Sequence, residues 1–361
     1  MRPGGHPVVP STCRVNGRSA LSVAGRFFGP CLGGSGFGSD EKLAKGTSMT
    51  GIHHVTAISG KAARNLDFYT HVLGFRFVKK TVNFDDPGTY HLYYGDSAGH
   101  PGTILTFFPW EHAAPGSAGV GFTQETAFRV PVSSIGYWAH RFVEMGVTHE
   151  ALEKRFGEPA LPFKDSDGLT LALIGAAGAD TEPAWQTGDI SAEHAIRGFH
   201  GVTLLLEDAS PTASVLTDVL GFNEAGDDGP LIRFRASETI GGYVDIREAK
   251  GFLAGRLGRG SVHHIAFRAA DDAGQAEMAR RLVANHGLRP TQQIDRQYFR
   301  SVYFREPGGI LFEIATDQPG FAVDEAIDSL GRDLKLPPFL EARRKQIEAV
   351  LPRLDTTEMR V

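Results

Sequence analysis

Apolar and polar residues alternate along four separate stretches of the chain, and each stretch is followed by the same succession of patterns. Alternation with a period of two is typical of a strand with one buried face. A helical stretch follows each time and stops at glycine, which tolerates the left-handed conformation at a helix end, and strand-like runs close the unit. We therefore predict four β-α-β-β-β units, at 53–108, 126–174, 199–247 and 262–316.

Short sequence matches support the repeat. The tripeptide LGF occurs at 73–75 and again at 220–222, and PGTILTF in the first unit resembles PGGILFE in the fourth. A unit of roughly 50 residues cannot bury a sheet face alone, so the units should pair. We expect an α+β protein in which four βαβββ modules form two domains. The expected segments are a two-module domain at 49–175, a second at 198–320 and a C-terminal helical tail at 321–361.

The first 48 residues differ from the rest of the chain. They are rich in glycine, serine and proline and carry six basic residues against two acidic ones. We expect 1–48 to be a disordered extension and Met49 to begin the folded protein. Neither this segment nor the remainder contains an apolar run of about 18 residues, the length needed for a membrane span. We therefore expect a cytoplasmic protein with no membrane partner.

Composition narrows the chemistry. The formal net charge is −5, so nothing favours nucleic-acid binding through phosphates. Both cysteines, Cys13 and Cys31, lie in the predicted extension, which excludes a thiolate site or a cysteine nucleophile from the body of the protein. Thirteen of the 14 histidines follow residue 48. Metal or acid–base chemistry would therefore have to use imidazole and carboxylate groups.

Pairs of adjacent histidines stand at the start of the first and fourth units. Because neighbouring side chains on a strand point to opposite faces, one histidine of each pair should face the cleft. The apolar neighbours assign His54 and His264 to the cleft and His53 and His263 to the helix layer. In the closing strand of the fourth unit, Glu313 lies between two apolar residues and should also face the cleft.

Two imidazoles and one carboxylate form the ligand set of non-haem iron sites with open coordination positions. A single strand histidine is more often a hydrogen-bonded core residue, but two pairs at equivalent positions favour a metal site. Aligning the units places Phe107, Ala172 and Asp245 where the fourth unit has Glu313. The cleft between the first and fourth units keeps all three ligands, and Phe107 leaves coordination positions free. His91 is a candidate for lining the same cleft.

At these residues the chain resembles the vicinal oxygen chelate superfamily, which has the glyoxalase and extradiol dioxygenase fold, and within it the hydroquinone-type ring-cleaving dioxygenases. The resemblance spans 51–351. It is carried by HHVT at 53–56, VHHIAF at 262–267, DRQYFRSVYFREPGGILFEIAT at 295–316 and FAVDEAIDSLGRDLKLP at 321–337, among other segments.

The resemblance implies a particular chemistry. It implies Fe(II), with Mn(II) as the alternative, and extradiol-type cleavage of a dihydroxylated aromatic, either hydroquinone or catechol, with both atoms of O2 incorporated. The implied metal ligands are His54, His264 and Glu313. The implied catalytic residues are His53, Thr56, His263, Arg296 and Tyr303. The expected partners are the small aromatic substrate and O2, and a homo-oligomer is left open.

Two other functions remain open at this point. A metal-dependent lyase or isomerase of the glyoxalase type shares the fold but commonly uses four protein ligands, and Phe107 argues against the fourth. A non-catalytic aromatic-binding resistance protein would not need the three ligands. Oxygen uptake with a dihydroxybenzene, turnover of methylglyoxal with glutathione, and metal content would separate the three functions.

Overall fold

The computed structural model describes residues 50–354, so the predicted disordered extension at 1–48 lies outside the described residues. Between 50 and 354 the chain forms two eight-stranded sheets with few helices, an α+β arrangement. Each predicted unit has the order β-α-β-β-β, so the four-module prediction is confirmed. No helix in this part of the chain is long and apolar enough to cross a membrane.

The bounds of the elements follow the four modules. The first module comprises β1 (Ile52–Ser59), α1 (Ala62–Asp67) with a π-helical continuation (Phe68–Val72), β2 (Arg76–Asn83), β3 (Asp86–Gly95) and β4 (Ile104–Pro109). The second comprises β5 (Phe122–Pro131), α2 (Ile135–Glu144), β6 (Glu153–Arg155), β7 (Glu158–Lys164) and β8 (Thr170–Ala176). The third comprises β9 (Phe199–Leu206), α3 (Ser210–Asp218), β10 (Asn223–Asp228), β11 (Leu231–Arg235) and β12 (Tyr243–Glu248). The fourth comprises β13 (Ser261–Ala269), α4 (Asp272–His286), β14 (Ile294–Asp295), β15 (Phe299–Arg305) and β16 (Leu311–Pro319), followed by α5 (Pro338–Glu341) and α6 (Arg344–Val350).

The two sheets pair the modules in a nested order. The strand order is β14-β15-β16-β13-β1-β4-β3-β2 in the first sheet and β10-β11-β12-β9-β5-β8-β7-β6 in the second. The first and fourth modules thus share one sheet through the antiparallel strands β1 and β13, and the second and third share the other through β5 and β9. In each module the closing strand runs parallel to the opening strand. Side chains of β1, β13 and β16 therefore lie side by side.

Helix contacts link the modules in a second way. Arg141 of α2 donates a hydrogen bond from Nε to Val72 O, at the end of the first module's helix, over 2.9 Å. Arg281 of α4 approaches the end of α3, where its Nη1 lies 3.5 Å from Asp218 O. Helices therefore join the first module to the second and the third to the fourth. The two-module domain segments expected from the sequence stay a prediction.

Two buried carboxyl groups, each in the last hairpin of its module, also connect the first module to the second and the third to the fourth. Asp165, between β7 and β8, accepts hydrogen bonds from Tyr69 Oη at 3.0 Å and from two backbone N–H groups of its own turn at 2.8 Å. Glu306, between β15 and β16, accepts from the hydroxyl of Thr212 on α3 and from its own turn. Burial raises the pKa of both carboxyls, that of Asp165 to about 6.

The segment after β16 crosses back over β2. Lys79 is fully buried there, and its ammonium group donates to Asp324 Oδ1 at 2.6 Å and to Glu325 Oε2 at 2.8 Å. Further along, the N–H of Lys335 donates to Lys80 O at 2.9 Å. The C-terminal helix expected from the sequence follows as the two short helices α5 and α6, which confirms that part of the fold prediction.

Replacing Asp165 with asparagine should change how stability depends on pH. The folded-state pKa of about 6 lies above the value of about 3.9 for an unfolded chain, so the native state binds this proton more tightly. The resulting stabilisation is complete below about pH 4 and is lost as the pH rises through about 6. Asparagine has no proton to lose and keeps the oxygen that accepts both backbone N–H groups. The free energy of unfolding of Asp165→Asn, minus that of the parent, should therefore rise by about 2 kcal/mol as the pH is raised from about 4 to 7.

Urea unfolding at both pH values measures this difference. The matched control is Asp180→Asn, at an exposed position, which should leave the pH dependence of the parent unchanged. If Asp165→Asn followed the parent across the same pH range, the raised pKa would not belong to this hairpin.

Candidate metal centre

Three side chains from neighbouring strands converge on one buried point. His54 lies on β1, His264 on β13 and Glu313 on β16, and their ligand atoms all lie within 4.8 Å of one another. Glu313 Oε2 is 3.0 Å from His264 Nε2 and 3.4 Å from His54 Nε2. All three side chains are buried. The structure thus brings together the three residues that the sequence assigned to one cleft.

A β-bulge occurs at each histidine pair. In the β1–β13 pairing, β1 has one extra residue at His53, which has no partner on β13. Strand β13 has one extra residue at His263, which has no partner on β1. A bulge interrupts the alternation of side chains and re-aims the extra residue. The expectation that His53 and His263 face the helix layer is therefore wrong, because it assumed two regular strands.

The bulges bring the paired imidazoles into direct contact. Nδ1 of His53 lies 2.9 Å from Nδ1 of His54, and Nδ1 of His263 lies 2.8 Å from Nδ1 of His264. Burial, followed by the neighbouring imidazole, lowers the pKa of His53 well below its ordinary value and that of His263 to about 3. His53 and His263 are thus neutral at physiological pH, and each can accept a hydrogen bond from its neighbour. The Nε2 atoms of the other two histidines remain directed at Glu313.

Glu313 carries a buried carboxylate with one satisfied oxygen. Ser301 donates from Oγ to Glu313 Oε1 at 2.5 Å, whereas Oε2, which faces both imidazoles, has no hydrogen-bond donor. Burial alone would raise the pKa of Glu313, but His54 and His264 outweigh burial and hold the pKa well below its ordinary value. A buried anion is costly unless a cation is adjacent. Two imidazole nitrogens and this carboxylate oxygen therefore fit a divalent transition-metal ion.

The position of a fourth ligand is occupied by Thr106. Glu313 is paired with Ala266, two residues beyond His264, and the corresponding pair in the first module is Thr56 with Thr106. A threonine hydroxyl is neutral at physiological pH, so it brings no second negative charge to the site. The cleft between the first and fourth modules therefore offers three candidate ligands, and a hydroxyl group stands at the position of a fourth.

Phe107 does not occupy that position, and the sequence alignment that placed it there is wrong by one residue. The turn before β16 is one residue longer than the turn before β4, counted from the proline that opens each turn. Phe107 instead packs in the core, where its ring centroid lies 4.6 Å from that of Tyr69 and 5.9 Å from that of Tyr94. The conclusion that no fourth carboxylate is present holds with Thr106 in place of Phe107.

His91 and Tyr93, both on β3, lie beside Thr106 of the neighbouring strand β4. His91 Nε2 is 2.8 Å from Thr106 Oγ1, and His91 Nδ1 is 2.8 Å from Tyr93 Oη. The sequence marked His91 as a candidate for lining this cleft, and the structure places it there. Tyr93 and Ser301 were not singled out, although the alternation of β3 puts Tyr93 on the same face as His91.

Tyr303 and Arg296 lie at the side of the site nearest His264. Tyr303 is paired across the strands with Glu313, and its ring centroid lies 5.7 Å from that of His264. Arg296 donates from Nε to Tyr303 Oη at 3.3 Å and from Nη2 to Asp85 Oδ2 at 3.0 Å. Burial raises the pKa of Tyr303 well above its ordinary value, so the phenol keeps its proton at neutral pH.

Aromatic rings flank the three ligands. Phe108 and Trp110 stack with centroids 5.9 Å apart, and they lie 5.6 Å and 6.2 Å from the ring of His263. On the other side, the ring of Phe299 lies 4.8 Å from that of His54. Apolar surface therefore surrounds a small polar centre.

The second sheet has an equivalent cleft without histidine ligands. Strand register puts Glu125 and Gly201 at the positions of the two histidines and Asp245 at that of the glutamate. Arg233 donates to both oxygens of Asp245 at 2.8 Å, and Arg155 donates to both oxygens of Glu125. The cavity between these groups is about 10 Å³. Guanidinium groups supply here the positive charge that a metal ion would supply in the first cleft.

Comparisons with known proteins agree with this fold. The profile of the Glyoxalase/Bleomycin resistance protein/Dioxygenase superfamily matches residues 51–173. The "Putative ring-cleaving dioxygenase MhqO" of Bacillus subtilis (strain 168) is 44% identical over 309 residues, covering 86% of this chain and 98% of that protein. The "Chlorohydroquinone/hydroquinone 1,2-dioxygenase" of Sphingobium indicum is 33% identical over 310 residues, covering 83% and 95%. A crystal structure of a "putative dioxygenase" from Bacillus subtilis superposes with a TM-score of 0.82 at 43% identity, covering 86% of this chain and 99% of that one.

The chain therefore belongs to the glyoxalase/bleomycin resistance protein/dioxygenase superfamily, also called the vicinal oxygen chelate superfamily. Its resemblance to hydroquinone-type ring-cleaving dioxygenases is confirmed by these relatives.

Alanine at His54, His264 or Glu313 should weaken binding of a divalent metal by about 100-fold or more, because each change removes one of three ligands. Titration of the metal-free protein with Co(II), followed by absorbance, measures the affinity and should give one ion per chain for the parent. His200→Ala, at the bulge position of the second cleft, is the matched control and should bind as the parent does. Unchanged affinity in any one of the three ligand variants would contradict the assignment.

Proposed function

We propose that this protein is a non-haem Fe(II)-dependent dioxygenase that opens a dihydroxylated aromatic ring by extradiol-type cleavage with O2. The observation that carries the proposal is the convergence of His54, His264 and Glu313 on one buried point, with Thr106 at the fourth position. One relative is named a ring-cleaving dioxygenase and another a chlorohydroquinone/hydroquinone 1,2-dioxygenase, which supports the reaction class.

Bound Fe(II), with Mn(II) as the alternative, would supply a Lewis acid for an aromatic hydroxyl group and a path for electrons between the ring and O2. His54, His264 and Glu313 would hold the ion with a single negative charge. Because Thr106 adds no charge and no strong ligand, three protein groups would hold the ion and would leave room for the aromatic oxygen and for O2.

The outer histidine of each pair would orient its neighbour. If Nδ1 of His54 and of His264 carries the proton, it donates to Nδ1 of His53 or His263, at 2.9 Å and 2.8 Å. The lone pair of Nε2 is then left for the metal, and the ring is held in one orientation. This contact supports a positioning role for His53 and His263 and explains why histidines occur in pairs.

Tyr303, Arg296 and Thr56 would handle the oxygen atoms of the substrate. Tyr303 keeps its proton at neutral pH and can donate a hydrogen bond from Oη to a substrate oxygen. The Arg296 guanidinium group, 3.3 Å from that hydroxyl, would balance the charge of a phenolate. Thr56 is paired with His264 across the strands, so its hydroxyl lies beside a ligand.

The apolar rings around the centre suit an aromatic substrate. Phe108, Trp110 and Phe299 offer flat surfaces on both sides of the ligands and would exclude water from the reacting atoms. Hydroquinone and catechol both meet these requirements. The substrate and O2 are the expected partners, with no nucleic acid and no membrane. The cytoplasmic location and a homo-oligomer stay predictions from the sequence.

Two alternatives have less support. A metal-dependent lyase or isomerase of the glyoxalase type commonly needs a fourth ligand, and Thr106 stands at that position. A non-catalytic aromatic-binding resistance protein would have no need of an unpaired buried carboxylate oxygen facing two imidazoles. Both alternatives are distinct outcomes of the same experiment.

Oxygen uptake after anaerobic loading with Fe(II) tests the proposed reaction. With hydroquinone, catechol and ring-substituted analogues, we expect uptake of one O2 per ring opened, and both atoms of 18O2 should appear in the product. His54→Ala, His264→Ala and Glu313→Ala should each lower the rate by about 1000-fold or more, since loss of the metal removes the reaction itself.

The same preparation should be offered methylglyoxal with glutathione. Turnover of that mixture without oxygen uptake would indicate a glyoxalase-type enzyme. Binding of a dihydroxybenzene with neither reaction would indicate a binding protein, and either result would overturn the proposal.

Tyr303→Phe should lower kcat by about tenfold to 100-fold, because it removes one hydrogen-bond donor to a charged substrate oxygen. Metal content should be unchanged, since Tyr303 is no ligand. Tyr243→Phe is the matched control, because Tyr243 lies beside His200 in the second cleft, 4.6 Å between ring centroids. Parental kcat in Tyr303→Phe would show that this hydroxyl takes no part.

A further inference from the structure

Four side chains of the first module form a continuous chain of hydrogen-bonding groups that ends at the metal centre. Tyr93 Oη lies 2.8 Å from His91 Nδ1, and His91 Nε2 lies 2.8 Å from Thr106 Oγ1. Thr106 in turn donates from Oγ1 to Thr56 Oγ1 at 2.8 Å. Both threonines are fully buried, and Thr56 is paired across the strands with His264.

With Thr106 as the donor to Thr56, the protons in this chain have one arrangement. Because the hydroxyl hydrogen of Thr106 goes to Thr56, the oxygen of Thr106 must accept the hydrogen from His91. His91 then carries its proton at Nε2 and accepts at Nδ1 from the phenol of Tyr93. Burial lowers the pKa of His91 and raises the pKa of Tyr93, which agrees with a neutral imidazole and a protonated phenol.

The direction of the chain decides what Thr56 can do. With Thr106 as its donor, the hydroxyl of Thr56 keeps its own hydrogen free for another acceptor. In the opposite direction, Thr56 would donate to Thr106 and have no hydrogen to offer. The imidazole ring of His91 is itself held between the rings of Tyr93 and Phe108, with centroids 4.1 Å and 4.4 Å away, so its orientation is fixed.

We propose that His91 is a positioning residue that acts through Thr106 to keep the Thr56 hydroxyl as a hydrogen-bond donor toward the oxygen of a dihydroxybenzene bound at the metal. This inference rests on the proposed function and adds three residues to it, His91, Tyr93 and Thr106. Through Thr56 they would favour a substrate with a negatively charged oxygen at this side of the metal. Thr106 stands at the position where a fourth carboxylate ligand would lie. A neutral hydrogen-bonding group therefore replaces a charged ligand there.

The first test uses the metal-free protein and no turnover. Long-range 1H–15N NMR of histidine-labelled protein should show His91 protonated at Nε2 and unprotonated at Nδ1. Tyr93→Phe should shift the Nδ1 resonance, because that nitrogen loses its donor. Protonation of His91 at Nδ1, or rapid averaging of the two tautomers, would reverse or break the chain and overturn the proposal.

The second test separates positioning from mere packing. His91→Phe keeps a ring between Tyr93 and Phe108 but has no N–H, and kcat for the dihydroxybenzene should fall about tenfold or more with unchanged metal content. His91→Gln offers an amide N–H at the place of Nε2 and should recover most of the loss. The double variant His91→Phe with Thr56→Val should be no slower than Thr56→Val alone, because both changes remove one donor.

The controls keep the outcomes distinct. His140→Phe, on the exposed face of α2 with a side chain 75% exposed, should match the parent. If His91→Phe does not fold, His91→Leu removes the same N–H group and takes its place. Additive losses in the double variant, or parental kcat in the folded His91 variant, would overturn the positioning role.

Failure of this inference and failure of the proposed function give different results. A parent that consumes no O2 with any dihydroxybenzene contradicts the proposed function, whereas the tautomer of His91 is measured without turnover. An active parent with unaffected variants contradicts the positioning role alone.

Discussion

The negative charge of Glu313 in the interior of the first sheet constrains the structure around it. One oxygen is satisfied by Ser301, and the other faces two imidazoles without a donor. An isolated buried carboxylate costs several kcal/mol or more, so its neighbours must supply compensating charge. The antiparallel pairing of β1 with β13 sets His54 and His264 beside the carboxylate, and a cation held by the three groups would meet this requirement. The second sheet meets the same requirement with arginines, which fill its cleft and leave no need for an ion.

The two bulges explain how strands can present adjacent histidines to one centre. A regular strand would send His53 and His263 to the opposite face, whereas the extra residue in each strand turns them toward their neighbours. Each Nδ1–Nδ1 contact then fixes an imidazole whose Nε2 faces Glu313. The irregularity of the backbone is thus what positions the ligands, and the regular part of the sheet supplies only their spacing.

Much of this architecture follows from the sequence, because alternation and internal repeats can be recognised without knowing which strands pair. Four modules and the set of His54, His264 and Glu313 could be predicted from alternation and from equivalent positions. Thr106 could not, since a turn longer by one residue shifts the register and moves Phe107 into the core. The bulges, the buried Lys79 and the arginines of the second cleft were also missed, because pairing partners far apart in sequence decide them.

The nested pairing of modules also fixes the order in which the molecule can be completed. The second and third modules are consecutive and can pair during synthesis, whereas β1 has to wait for β13, which begins about 200 residues after β1 ends. His54 likewise has to wait for Glu313, more than 250 residues further along the chain. Long-range strand pairing of this kind is slow and leaves edges exposed meanwhile. The three residues of the candidate metal centre can therefore come together only after the fourth module has been synthesised, so a metal ion could be held by all three only at that stage.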